Sequence, residues 1–267
     1  MISYIGGKKF HAKYINPFFP KEYKGYCEPF SGAFWLYFQS DIVADNIFYN
    51  DANPHITNLV CCCSTDVYRM REELLKYEPQ NYDMFNQFRD HIFDLGFSNK
   101  IEMPNYQLAA MYAYIQTQVF SGNTLSSTTK MTHLKGKYKS KYEHLIDKLH
   151  NDRYIEKLRR INEFNDVDFA ECIEKYDNED MLFYIDPPYY DMEHYYTIGE
   201  NNIHQRLSDI AKTIKGKFII SYYRFDKIDE FYPPDDYSFE TYNINSQNSN
   251  RLKINSSRRD EILIKNY

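Results

Sequence analysis

The apolar run Met181-Leu182-Phe183-Tyr184-Ile185 is followed at once by Asp186-Pro187-Pro188-Tyr189, and this junction constrains the fold more than any other stretch. Five apolar residues in a row read as a short buried strand. Neither proline carries an N–H, so no ladder or helix continues through them. Each residue before a proline is also pushed towards extended geometry. The strand therefore stops abruptly, leaving a carboxylate, a free backbone carbonyl and an aromatic ring at its carboxyl end. In open α/β sheets that end is where ligands bind.

Those groups suit methyl transfer to an exocyclic amine. An NH2 group donates two protons, and the Asp186 carboxylate and the Pro187 carbonyl accept one each, while Tyr189 offers a ring to stack on. Held that way, the nitrogen lone pair points at an incoming methyl carbon, and the gain is positioning and electrostatics. The bland alternative is an Asp/Pro turn of the kind that ends many strands.

At 267 residues the chain has room for one large domain, or one domain with an insertion. Its 27 tyrosines and 19 phenylalanines serve base stacking or ordinary packing equally. A net charge of −6 excludes a wholly basic coat, so nucleic-acid binding would need a local patch. No apolar run approaches 18 residues and the N-terminus lacks a signal-peptide core, so a soluble, cytoplasmic protein is expected, without a membrane partner. Cys61-Cys62-Cys63 are adjacent and no C-x-x-C pair exists, so the thiols read as small core residues and no metal site is expected.

In chain order, Tyr4-Ile5-Gly6-Gly7-Lys8 is a glycine pair beside a cation, without the spacing of a Walker A loop. Tyr26-Cys27 reads as a strand, Glu28-Pro29-Phe30-Ser31-Gly32 as a turn, and Ala33 to Phe38 as a helix. A glycine turn feeding a helix after the first strand is the usual cradle for a nucleotide-like cofactor. A second strand, Ile47-Phe48-Tyr49, ends in Asn50-Asp51-Ala52-Asn53-Pro54. An acid at that point grips ribose hydroxyls, or else caps the helix starting near Pro54.

Residues 65–157 differ in character, with helical periodicity over 67–77, 82–95 and 106–120 and few strand signals. A hydroxyl-rich stretch, 121–129, then meets a basic run. Over 130–160, ten cations against four acids leave a net +6 in an otherwise acidic chain. The run is a solvated face or a phosphate-contacting surface. Its candidates are Lys130, Lys135, Lys137, Lys139 and Lys141. The α/β pattern then resumes. Val167-Asp168-Phe169 resembles the end of a third strand, with an acid and an aromatic to flank an adenine. A helix over 203–214 and strands over 217–222, 238–244 and 261–265 follow. The last two imply an antiparallel hairpin at the sheet edge, with Arg251, Arg258 and Arg259 of the intervening loop as further phosphate contacts.

Taken in order, the Tyr4–Lys8, Glu28–Ala33, Asn50–Asn53, Val167–Phe169 and Asp186–Tyr189 segments resemble the Dam-type (class alpha) DNA adenine N6-methyltransferases. Ile262–Tyr267 is similar to that family's last strand, and the likeness covers about two thirds of the chain. The resemblance implies a Rossmann-like α/β methyltransferase fold: a seven-stranded, mostly parallel sheet with an antiparallel edge strand. Residues 1–64 and 158–267 would form the catalytic domain, and 65–157 a mainly helical recognition insert. It implies S-adenosylmethionine as cofactor and double-stranded DNA as partner, with the target adenine flipped out. Tyr4, Gly7, Lys8, Phe30, Gly32, Asp51, Asp168 and Phe169 would bind the cofactor, with Asp186 beside it. Asp186, Pro187, Pro188 and Tyr189 would hold the base. Monomer and weak dimer on DNA both stay open.

The family's turn carries a second glycine where this chain has Phe34. That leaves two expectations, a narrowed pocket or a displaced helix start. The first would make the protein a DNA-binding relative with a decayed cofactor site. Cytosine N4 or RNA as acceptor is a further alternative, since Asp186 suits either amine.

Overall fold

The computed structural model describes Lys8 and residues 10–119, 126–132, 140–190, 202–243 and 260–267. Seven strands form one sheet: β1 (Gly25–Glu28), β2 (Asn46–Asn50), β3 (Ile161–Asn165), β4 (Met181–Ile185), β5 (Lys217–Tyr223), β6 (Ser238–Asn243) and β7 (Asp260–Lys265). Their order is β3-β2-β1-β4-β5-β7-β6. All neighbours from β3 to β5 pair parallel, while β7 pairs antiparallel with both β5 and β6. The reversed strand thus lies one place in from the edge, because the β6–β7 pair returns its second strand against β5.

The apolar run of β4 is buried throughout, and alternate residues face opposite layers, as a period of two demands. Leu182 and Tyr184 join one core with Tyr26, Ile219 and Leu263. Met181, Phe183 and Ile185 join the other with Cys27, Ile220 and Ile264. A strand covered on both faces has no polar side, which is why its sequence does not alternate.

The helices are α1 (Ala12–Ile15), α2 (Trp35–Gln39), α3 (Pro54–Thr65), α4 (Val67–Leu75), α5 (Tyr82–Leu95), α6 (Tyr106–Thr117), α7 (Lys141–Lys148), α8 (Asp152–Arg159), α9 (Phe169–Tyr176), α10 (Ile203–Ala211) and α11 (Ile228–Phe231). Their starts follow the sequence closely. Asn53, Asp66, Asn81, Asn105 and Asn151 accept from backbone N–H groups in the first turns of α3, α4, α5, α6 and α8. Ser140 and Glu143 form a capping box on α7. Helices α3 to α6 bury their apolar faces in the core shared with Tyr26 and Leu182, whereas α9 and α10 cover the opposite layer. The three adjacent cysteines are core residues of α3. Among the described residues, no group of His, Cys, Asp and Glu could hold a metal ion, and no helix is long and apolar enough to cross a membrane.

Two local departures from the sequence reading bear on the site. Helix α2 begins at Trp35, because Phe34 adopts a left-handed backbone with φ 54°. Strand β3 ends at Asn165, so Asp168 caps α9 through the Ala170 N–H instead of closing a strand.

Candidate active site

Parallel pairing brings the tips of four strands to one edge. Cys27 pairs with Phe183, Glu28 with Tyr49, Asn50 with Asn165, and Ile185 with Ile220. Asp51 and Asp186 follow those tips directly and Phe30 one residue later, so register alone gathers residues more than a hundred positions apart.

Asn50 fastens this edge. Its buried amide donates to the Pro29 carbonyl at 2.8 Å and the Val167 carbonyl at 3.1 Å, and accepts from the Val167 N–H. Asp51 ties the second tip to the glycine turn. Its two oxygens accept from the Gly32 N–H at 2.8 Å and the Asn53 N–H at 2.9 Å. It does not cap α3, since Asn53 takes that role by accepting from the His55 N–H. A carboxylate has about four acceptor positions, so the two bonds leave capacity for hydroxyl donors. Burial raises the Asp51 carboxyl to about 6, against the pull of those two N–H groups.

Gly32 holds φ 48°, a left-handed conformation that glycine adopts without Cβ strain. Phe34, two residues on, is fully buried and stacks on Tyr37 at 4.5 Å and edge-on to Tyr49 at 5.2 Å. Its ring belongs to the core covered by α3 to α6, whereas Phe30 packs against the opposite layer. Of the two expectations for Phe34, the displaced helix start is the one realised: the ring turns into the core on the other side of the sheet from Phe30.

Phe30 stacks on Phe169 with centroids 5.0 Å apart. The Arg206 guanidinium, from α10, lies 4.9 Å from the Phe169 ring and donates to Asp168 Oδ1 at 2.6 Å. Arg206 was not singled out in the sequence, where it is one polar residue on an amphipathic helix.

Asp186 lies at the β4 tip with its side chain only 15 % exposed. Its Oδ1 is 3.2 Å from Lys8 Nζ, yet among the described residues no hydrogen bond of good geometry reaches that oxygen. Burial lifts the carboxyl to about 7, Lys8 pulls it down, and Glu261 pushes it up again. Burial alone would lower the Lys8 ammonium, but the Asp186 and Glu261 carboxylates reverse this and raise it above its ordinary value. Lys8 also donates to the Tyr189 hydroxyl. Tyr189, which follows buried Pro187 and Pro188, sets its ring edge-on to Tyr223 at 4.5 Å.

Two buried acids here were not assigned roles from sequence. Glu261, on β7, pairs with Lys8 and accepts from the Tyr189 hydroxyl at 2.6 Å. Glu28 accepts from the Tyr26 hydroxyl at 2.7 Å and the Tyr37 N–H at 3.1 Å, and burial raises its carboxyl to about 8. The available signal was an acid adjoining an apolar strand, since acids are seldom fully buried unless paired.

Tyr4, Gly7, Lys135, Lys137, Lys139, Arg251, Arg258 and Arg259 lie outside the described residues. Lys130 is exposed, and Lys141 donates to the Val119 carbonyl at 3.3 Å. Part of the basic run is structural. Lys157 is buried and donates to the carbonyls of Tyr37, Phe38 and Ser40, and Arg160 donates to those of Ile42 and Ala44.

A family model described as D12 class N6 adenine-specific DNA methyltransferase matches residues 4–250, nearly the whole chain. The chain belongs to that family. No curated protein matches the chain. This adenine-specific DNA methyltransferase carries Asp186 on the same sheet edge as Asp51, Gly32 and the Phe30–Phe169 stack. Family membership also decides the acceptor among the alternatives left by the sequence: adenine N6 in DNA, not cytosine N4 or RNA.

Proposed function

We propose that the chain transfers a methyl group from S-adenosylmethionine to N6 of an adenine flipped out of double-stranded DNA. The observation that carries this reading is Asp186 Oδ1, a buried carboxylate oxygen without a hydrogen bond among the described residues, at a strand tip on the same sheet edge as Asp51 and the glycine turn. A buried acceptor left open in this way is costly unless a ligand donor satisfies it.

The residues present fit the cofactor. Asp51 would take the ribose hydroxyls on its spare acceptor positions, Gly32 would let the backbone approach the methionine part, and Phe30, Asp168 and Phe169 would flank the adenine. When bound, S-adenosylmethionine supplies a methyl carbon already activated on a sulfonium. Asp186 Oδ1 and the Pro187 carbonyl would each accept one N–H of the target amine and so aim its lone pair in line with that carbon. Tyr189, held through its hydroxyl by Lys8 and Glu261, would offer its ring to the base, with Pro188 fixing the turn. The raised pKa of Asp186, about 7, matches the group to take up the proton that the methylated nitrogen loses near neutral pH.

Residues 1–64 and 158–267 would serve as the catalytic part. The 65–157 segment, with Lys130 and Lys141, would contact DNA, joined by the basic residues outside the described segments. Base extrusion costs a few kcal/mol, which stacking and the amine hydrogen bonds offset.

Unmethylated mixed-sequence DNA incubated with the protein and labelled S-adenosylmethionine should yield N6-methyladenine on nucleoside analysis. Asp186→Ala should lower turnover by about 10²-fold or more while DNA affinity is retained. Label on cytosine, or full turnover by the variant, would refute the proposal.

A further inference from the structure

The second residue of β7 lies at the centre of a buried cluster, and the transfer chemistry leaves it without a role. Glu261 is 2 % exposed and stands in register with Tyr223 of β5. Its Oε1 is 3.3 Å from Lys8 Nζ, and its Oε2 accepts from the Tyr189 hydroxyl at 2.6 Å and the Ser221 hydroxyl at 3.2 Å. His11 Nδ1 lies 3.6 Å from Oε1 and hydrogen-bonds to the Tyr242 hydroxyl at 3.1 Å. One ammonium is thus shared by two carboxylates, and one of those carboxylates also holds the tyrosine that follows the prolines.

We infer that Glu261 is a positioning residue of the active site: by holding the Tyr189 hydroxyl and one side of the Lys8 ammonium, it keeps Asp186 Oδ1 open to the base amine. The inference rests on the role proposed above for Asp186 and Tyr189. An ammonium has three donors, and Lys8 directs them at a site containing Asp186, Glu261 and the Tyr189 hydroxyl. Were Asp186 its sole anionic partner, the pair would close into a charge-assisted hydrogen bond, filling the acceptor position the amine requires. With Glu261 present, the Asp186 contact stays a 3.2 Å ion pair without hydrogen-bond geometry.

Glu261 also sets the charge that Asp186 feels. Among the described residues, the titratable and charged groups facing Asp186 are Lys8, Glu28 on β1, Tyr184 and Tyr189 around the β4 tip, and Glu261 on β7, with His11 and Tyr242 behind Lys8. Of these, Lys8 and the Tyr189 hydroxyl lower the Asp186 carboxyl and Glu261 raises it. Glu261→Gln keeps the shape and removes the charge, so Asp186 should ionise at a lower pH.

The test is a comparison of pH–rate profiles for the full-length wild type, Glu261→Gln and Asp186→Ala, using unmethylated mixed-sequence DNA and S-adenosylmethionine. Glu261→Gln should lower kcat by about 10²-fold, the scale of a misplaced reacting group, with KM for both substrates retained. The acid limb of its kcat/KM profile should move to lower pH. Wild-type kcat in Glu261→Gln, or a fall in kcat with an unmoved acid limb, overturns the inference, since the Glu261 charge is one of the causes that raise the Asp186 carboxyl. If Glu261→Gln does not fold, Tyr189→Phe deletes only the hydroxyl that Glu261 accepts from. It should lower kcat and, because that hydroxyl helps hold the Asp186 carboxyl down, move the acid limb to higher pH, opposite to Glu261→Gln; an unchanged kcat overturns the inference. If Asp186→Ala keeps turnover, the reading of the site itself fails and this inference falls with it. If Asp186→Ala is dead while Glu261→Gln matches wild type, the positioning role alone is refuted.

Discussion

Replacing Phe34 separates a core anchor from a plug in the cofactor site. Phe34 is fully buried, and its ring meets Tyr37, Tyr49, Phe38 and Tyr26. Truncating such a ring to alanine costs about 3–5 kcal/mol. Phe34 also holds φ 54°, which costs a residue with a Cβ about 1–2 kcal/mol. Glycine recovers that strain but returns about 0.5–1 kcal/mol through the greater freedom of its unfolded chain. Phe34→Ala should therefore lose about 4 kcal/mol, and Phe34→Gly nearer 3 kcal/mol. Glycine would be the better tolerated of the two, the reverse of its rank inside a helix. Urea unfolding measures both losses, and calorimetric titration with S-adenosylmethionine should show undiminished affinity in whichever variant stays folded. Tighter cofactor binding by Phe34→Gly with no loss of stability would refute the reasoning and show that the ring obstructs the pocket.

Two further outcomes follow from buried groups that take no part in the transfer. Burial raises Glu28 from 4.5 to about 8, so the folded state binds the extra proton and stability is lost as pH rises from about 4.5 through about 8. At about 1.4 kcal/mol per unit this amounts to about 5 kcal/mol. Glu28→Gln should be progressively stabilised relative to wild type across that window in unfolding curves, and parallel curves for the two proteins would rule the account out. Lys157→Met should cost about 1–3 kcal/mol, because the Tyr37, Phe38 and Ser40 carbonyls at the end of α2 lose their donor. DNA affinity by fluorescence anisotropy should not change, and a large loss of affinity without loss of stability would place Lys157 on the DNA face instead.

The sequence by itself determined much of this protein. The buried β4 strand and its abrupt stop at Asp186, the helices starting near Pro54, Tyr82 and Tyr106, and the Asp51 and Gly32 turns were all legible. Each depends on a residue and its near neighbours: a missing N–H, a capping side chain, or a run of apolar residues. The order of the segments was likewise enough to place the chain among adenine methyltransferases. Only the tertiary structure decided which side of the sheet Phe34 enters, that Asn50 clamps the tips of three strands, that Arg206 meets Asp168, and that Lys157 points inward. It also brought Glu261 to Lys8, 253 residues away along the chain. Such partners leave no periodic trace, because a charge on a surface helix and a charge destined for burial are the same letter. What separates them is the desolvation that a distant strand or helix imposes, and that exists only once the sheet has closed.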